Sequence, residues 1–338
     1  MKVARVLSWA LAGACVVIGA ATADEVRMQA PAYALPQELV SAATAFQGYM
    51  TGAAKIDAAF SDGDAVAKAL QTAASYEPSQ LEEGMIAYGA IIALQDERFV
   101  AGVERAAGRG DDRARFAEQL VEDPGAATRI DGADEAAGRI EAALGGQAAA
   151  LGATGARVSA AAYAVQGEPW SKAPVSDAQA RLADVESRSS AATAPSDDED
   201  RAMLAAIIGA EPGAAGQTDT HLDITAIEAR ALALAAESVL GRARSADRDW
   251  LSPLVSEPDS AECLRMAKLD LYQCMAVAGP QYEDIYCMGH HALKETAQCV
   301  AGAAHGAATT QIASVAPLAR DRSTSAGGEG RASPPGSP

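Results

Sequence analysis

Apolar residues recur along most of this chain at steps of three and four, the spacing of amphipathic helices. Leu39, Val40, Ala43, Phe46 and Met50 follow Pro36, a residue suited to a first helical turn. Ser79-Gln80-Leu81-Glu82 has the form of a capping box after Pro78, and a helix through Met85, Ile86, Ile91, Ile92 and Leu94 is predicted behind it. Asp96 precedes a stretch from Phe99 to Ala107 that stops at Gly108-Arg109-Gly110. Asp111 starts the next, with Phe116, Leu120 and Val121 on its apolar side. A long alanine-rich helix is expected from about Ala133 to Val165, kinked or frayed at Gly145-Gly146 and Gly152.

Ser176-Asp177-Ala178-Gln179 reads as a second capping box, opening a short helix that ends near Ser187. Met203 to Ile208 is helical in pattern, and Asp223 precedes a helix carrying Ile224, Ile227, Ala231, Leu234 and Ser238. That last seam must pack against another helix, of this chain or of a partner. β-branched residues nowhere alternate as strands require. The expected fold class is therefore all-α: an Ala-rich multi-helix bundle ending in a C-terminal disulfide-stapled antiparallel helical hairpin.

Composition divides the chain. Ser189 to Asp200 reads SSAATAPSDDED, small and acidic with a proline, so residues 189–199 are predicted to be a linker. It separates an N-terminal helical domain (24–188) from a C-terminal one (200–306). Pro317 to Pro338, rich in Ser, Gly, Pro and charge, is expected to be a disordered tail.

The first 23 residues have the form of an export signal. Lys2 and Arg5 give a positive start, an apolar run from Val6 to Ala20 follows, and Ala21-Thr22-Ala23 offers the small residues a signal peptidase needs before Asp24. The run is shorter than the ~20 residues that span a bilayer, and no later segment suits a membrane span. Cys15 is a poor lipoprotein cysteine, since Ala12 stands where that signal prefers Leu and Val16-Val17-Ile18 continue the apolar run. The predicted location is periplasmic or secreted. The net charge of −18 becomes −20 once the cations Lys2 and Arg5 leave. Such a polyanion is repelled by nucleic acid and anionic lipid, so neither is expected as a partner.

Four cysteines remain after Cys15 is removed: Cys263, Cys274, Cys287 and Cys299. In an oxidising compartment they read as two disulfides. Leu264, Ala267, Leu271, Met275 and Ala278 mark one helix, Gly279-Pro280 breaks it, and Asp284 to Val300 gives a second. Within one helix Cys263 and Cys274 would lie roughly 16 Å apart, far beyond the about 4.4–6.8 Å a disulfide allows. Folded antiparallel, facing residues have a constant sum of positions. Cys263 with Cys299 gives 562 and Cys274 with Cys287 gives 561, whereas the crossed pairing gives 550 and 573. Nested bridges Cys263–Cys299 and Cys274–Cys287 are therefore predicted. One mismatch remains: twelve residues of α-helix leave Cys299 roughly 120° around from Cys287. The second arm is expected to bend at Gly289 or to begin just after Cys287.

A metal site is the competing use of these residues, with Cys287, His290 and His291 within one and a half turns and Cys274 and His305 as further donors. Oxidation would consume the thiolates, and no spacing matches a zinc motif, so no metal or other cofactor is expected. Catalysis finds little support either. The histidines are His221, His290, His291 and His305, and there is no Gly-x-Ser-x-Gly elbow or phosphate-binding loop. The carboxylate pairs Glu82-Glu83 and Asp198-Glu199-Asp200 read as a cap and a solvated linker. The expected function is non-enzymatic: an exported envelope interaction or scaffold protein that binds another envelope protein. A periplasmic inhibitor or immunity-type protein and a cell-wall hydrolase are the alternatives. No oligomeric state follows from the sequence.

Overall fold

A computed structural model of the chain describes residues 35–209 and 223–305. The predicted signal (1–23), the predicted tail (317–338) and His221 lie outside the described residues. The helices in chain order are α1 (Gln37–Ala54), α2 (Gly63–Ala73), α3 (Pro78–Ala93), α4 (Glu97–Ala107), α5 (Asp111–Glu122), α6 (Ala133–Ala164) and α7 (Ala178–Ser190). They continue as α8 (Asp197–Ile208), α9 (Ala226–Val239), the single turn α10 (Arg248–Leu251), α11 (Pro258–Val277), α12 (Gln281–Cys287), a π-helix over Met288–Glu295, and α13 (Thr296–His305). Among the described residues there is no strand, only an isolated bridge between Pro174 and Pro280. The fold is all-α, an alanine-rich bundle ending in a hairpin stapled by two disulfides.

Several helices start where a side chain can satisfy their first free N–H groups, and not always where the sequence pattern placed that residue. At α3 the cap is Glu77, which accepts from Ser79 N at 3.1 Å and Gln80 N at 2.7 Å. Asp177 caps α7, accepting from Ala180 N at 2.8 Å. Neither Ser79 nor Ser176 plays the capping role predicted for it. At α9 the cap is Thr225, two residues beyond Asp223, in a reciprocal capping box with Glu228.

Helix α9 is buried on every side from Ile227 to Val239 apart from Arg230, the mark of a central helix. It lies against α3, α6 and the 3₁₀ turn Pro124–Arg129. The seam of Ile227, Ala231 and Leu234 is thus covered by helices of this chain. Side chains from both sides of segment 189–199 enter one continuous core. The segment itself begins in the last turn of α7 and ends in the first turns of α8, where Ser196 and Glu199 form a capping box.

The fraying expected in α6 at its glycines does not occur. The helix runs unbroken for 32 residues, and its glycines are places of close packing. A Cβ on Gly145 would stand 2.7 Å from Nε2 of His305, and one on Gly155 would stand 2.9 Å from the carbonyl oxygen of Gly289. Packing against α12, the π-helix and α13 supplies what the glycines withhold in propensity.

Candidate functional site

The hairpin forms on the nested pairing, Cys263–Cys299 and Cys274–Cys287, each with Cα atoms 5.7 Å apart. Its first arm, α11, is regular and anchored from outside. Lys268 Nζ donates to Ala74 O at 2.8 Å and Ser189 Oγ at 3.0 Å and sits over the Tyr76 ring, 3.5 Å from its centroid. Burial pushes its pKa well down. At the turn, Arg181 from α7 forms a two-point ion pair with Asp284 (2.8 and 3.0 Å) and donates to the carbonyl of Met275 at 2.6 Å. Three backbone bonds from segment 171–175, including Val175 N to Gly279 O at 3.0 Å, clamp the same turn.

The second arm absorbs the angular mismatch by a change of winding. It does not begin after Cys287, since α12 already starts at Gln281, and its departure from regular α-helix spans Gly289. The eight residues Met288–Glu295 wind as a π-helix. Bonding from i to i+5 gives about 4.4 residues per turn, roughly 82° per residue against 100° in an α-helix. Eight such residues lag by roughly 145°, close to the roughly 120° that separates Cys287 from Cys299 in regular winding. The π segment returns Cys299 to the face that meets Cys263.

It is also seated on α6 through two glycines. A Cβ on Gly289 would lie 2.6 Å from Ser159 N, and one on Gly155 would meet Lys294 N at 2.9 Å. Two backbones therefore cross in direct contact, and any side chain at either position would separate them.

The changed winding has a chemical consequence. In an α-helix His290 and Glu295 would project about 140° apart; π winding reduces this to roughly 50°. Glu295 Oε1 lies 3.0 Å from His291 Nδ1 and 3.7 Å from His290 Nε2. One donor atom from each of the three residues falls within 4.8 Å of the other two. His291 Nδ1 and Glu295 Oε2 are buried, and neither makes an aligned hydrogen bond. Tyr286 stacks on the His290 ring at 5.4 Å and 11°, and the exposed Tyr163 stands edge-on to Tyr286. Burial, and then the neighbouring His291, push the His290 pKa down.

The set of Cys287, His290 and His291 is thus only partly assembled. The histidines come together, but Cys287 is spent in the inner bridge, and the third donor is Glu295. A Glu four residues after His291 was there to be seen; its reach to His290 required the π winding. His305 lies elsewhere, 2.8 Å from Glu141 on α6, and Cys274 is bonded to Cys287.

The carboxylate pairs weighed for hydrolysis are committed to structure. Glu82 is buried and accepts from the backbone N of Glu257, and burial raises its pKa. Glu83 pairs with Arg248 at 2.6 Å, and Asp198 with Arg201. Glu199 is held by Ser196, and Asp200 by Gln37 at 2.6 Å and Ser41 at 2.8 Å. Three acids that the sequence did not single out carry larger shifts. Burial lifts Glu228 and Glu237 to about 7 and Asp284 to about 6. Glu228 caps α9, Glu237 accepts from Trp250 Nε1 at 3.1 Å, and Asp284 holds Arg181. An open groove of about 630 Å³ between α1 and residues 193–203 is lined by Gln47, Tyr49, Met203 and Glu199 among smaller side chains.

The outward face of α11 differs from the rest of the hairpin. Met266, Leu269 and Val277 are 44%, 44% and 85% exposed. Their spacing places them within about 80° of one another around the helix. No known protein family matches the chain, and no curated protein or solved structure does.

Proposed function

We propose that this chain is an exported, acidic, non-enzymatic envelope protein that binds another envelope protein through the outward face of α11. The supporting observation is the uncovered stripe of Met266, Leu269 and Val277. Large apolar side chains aligned on one helix face are the usual anchors of a protein interface. The helix that carries them is held by both disulfides and by Lys268 and Arg181, so the face meets a partner with little ordering cost. The disulfides favour an oxidising compartment, as does the signal-like start. No helix among the described residues is long and apolar enough to cross a membrane.

The experiment places a photo-crosslinking residue at Leu269 in the native host and recovers the adduct from the envelope. One discrete adduct is expected, lost when Met266 and Val277 are changed to Glu, with the melting temperature unchanged because both side chains are exposed. Adducts that ignore these substitutions would contradict the reading. A captured basic enzyme that loses activity in the complex would make the protein an inhibitor. Release of soluble fragments from purified cell wall would make it a hydrolase and end the non-enzymatic reading.

A further inference from the structure

The geometry points to a binding site for a divalent transition metal of the zinc class, formed by His290 Nε2, His291 Nδ1 and the Glu295 carboxylate. Two imidazoles and one carboxylate are a donor set suited to zinc, copper, nickel or cobalt rather than to magnesium or calcium, which prefer oxygen. A tetrahedral ion about 2.0–2.1 Å from its ligands holds them roughly 3.3 Å apart. Two donor separations here, 3.0 and 3.7 Å, bracket that value, and all three fall within 4.8 Å. Small side-chain rotations close the remaining gap.

The donors are also poorly used by the protein itself. Glu295 Oε2 is buried without a hydrogen-bond donor, and the 3.0 Å contact of His291 Nδ1 with Glu295 lacks hydrogen-bond alignment. A buried carboxylate oxygen left in this state costs free energy that a cation would recover. The cluster is supported from behind. The inner disulfide ends at Cys287, the backbone crossing at Gly289 and Gly155 fixes the segment, and Tyr286 orients the His290 ring by stacking. Three protein ligands leave a coordination position for water or for a donor from another molecule. His290 is 36% exposed, which gives an ion a way in. The site stands independently of the α11 interface.

The test uses the full-length, untagged, oxidised protein, stripped with chelator and titrated with Co²⁺ and then Zn²⁺. One Co²⁺ per chain is expected, with visible bands of a nitrogen and oxygen site, no thiolate charge-transfer band, and displacement by Zn²⁺. His291→Ala and Glu295→Gln should each weaken binding by at least ~10-fold. Non-reducing peptide mapping should recover both bridges in each variant; Glu295→Gln, nearly isosteric, covers the case in which His291→Ala disturbs the fold. Lack of saturable Co²⁺ binding up to about 1 mM, a thiolate band, or undiminished binding in Glu295→Gln would overturn the site.

Discussion

Helix α6 and the second arm of the hairpin lie against each other, both contain glycines, and they respond to them in opposite ways. Helix α6 carries Gly138, Gly145, Gly146, Gly152 and Gly155 and still runs as one α-helix from Ala133 to Ala164. The second arm contains only Gly289 and Gly302 after Cys287, yet its winding changes over Met288–Glu295. Glycine content therefore does not decide where a helix departs from regularity. What separates the two is covalent. No disulfide dictates the rotational phase of α6, whereas the second arm must present Cys287 and Cys299 to bonded partners on α11. With α11 anchored by Lys268 and Arg181, the second arm is the one that yields.

The largest expected effect comes from lifting that constraint. Replacing Cys263 and Cys299 together by Ser should cost roughly 2–5 kcal/mol in denaturant unfolding, and leave the Cys274–Cys287 bridge intact on non-reducing mapping. An unchanged midpoint would mean that packing alone holds the arm in place. The crossing with α6 gives the next effect. Gly155→Ala puts a Cβ 2.9 Å from both Gly289 O and Lys294 N and should destabilise by about 1–3 kcal/mol.

The anchoring of α11 is read through pH. Burial holds the Lys268 pKa well below the ordinary 10.5. Between its folded value and the ordinary one, the unfolded chain binds a proton that the folded chain does not, so stability rises with pH across that window. The slope is at most about 1.4 kcal/mol per pH unit. Lys268→Met should remove this slope; Ala74 O would still accept from Ser189 Oγ at 3.1 Å and Tyr76 N at 2.9 Å. A slope surviving in the variant would assign it to another group. The smallest effect has the opposite sign. Gly146 has no atom within 4 Å of a Cβ position, so Gly146→Ala should stabilise by about 0.5–1 kcal/mol. Glycines nine residues apart on one helix would then differ in sign, because one touches another backbone and the other faces solvent.

Much of this architecture was legible because it follows from local periodicity and from integer spacing. Phe99 to Ala107, Ala133 to Val165 and the nested cysteines needed only helical geometry. Helix α2 was not marked by the pattern, since Val66, Leu70 and Ala73 are its whole buried face. The cap at α3 went to Glu77 because Pro78 takes the first helical position, which leaves the residue before it to accept from Ser79 N and Gln80 N. Regular winding also hid the third donor of the histidine cluster. The angular mismatch of roughly 120° was visible in the spacing of Cys287 and Cys299, but how the arm would relieve it depended on contact with α6. Glu295 could be grouped with both His290 and His291 only after that was known.

The π segment corrects the phase between Cys287 and Cys299. Removing one residue, Lys294, shortens their separation from twelve to eleven, for which plain α-helix leaves an offset of only about 20°. A crystal structure of the chain lacking Lys294 tests this directly. Both disulfides should form, and the second arm should wind as unbroken α-helix from Gln281 to His305. Persistence of i to i+5 bonding, or loss of the Cys263–Cys299 bridge, would contradict it.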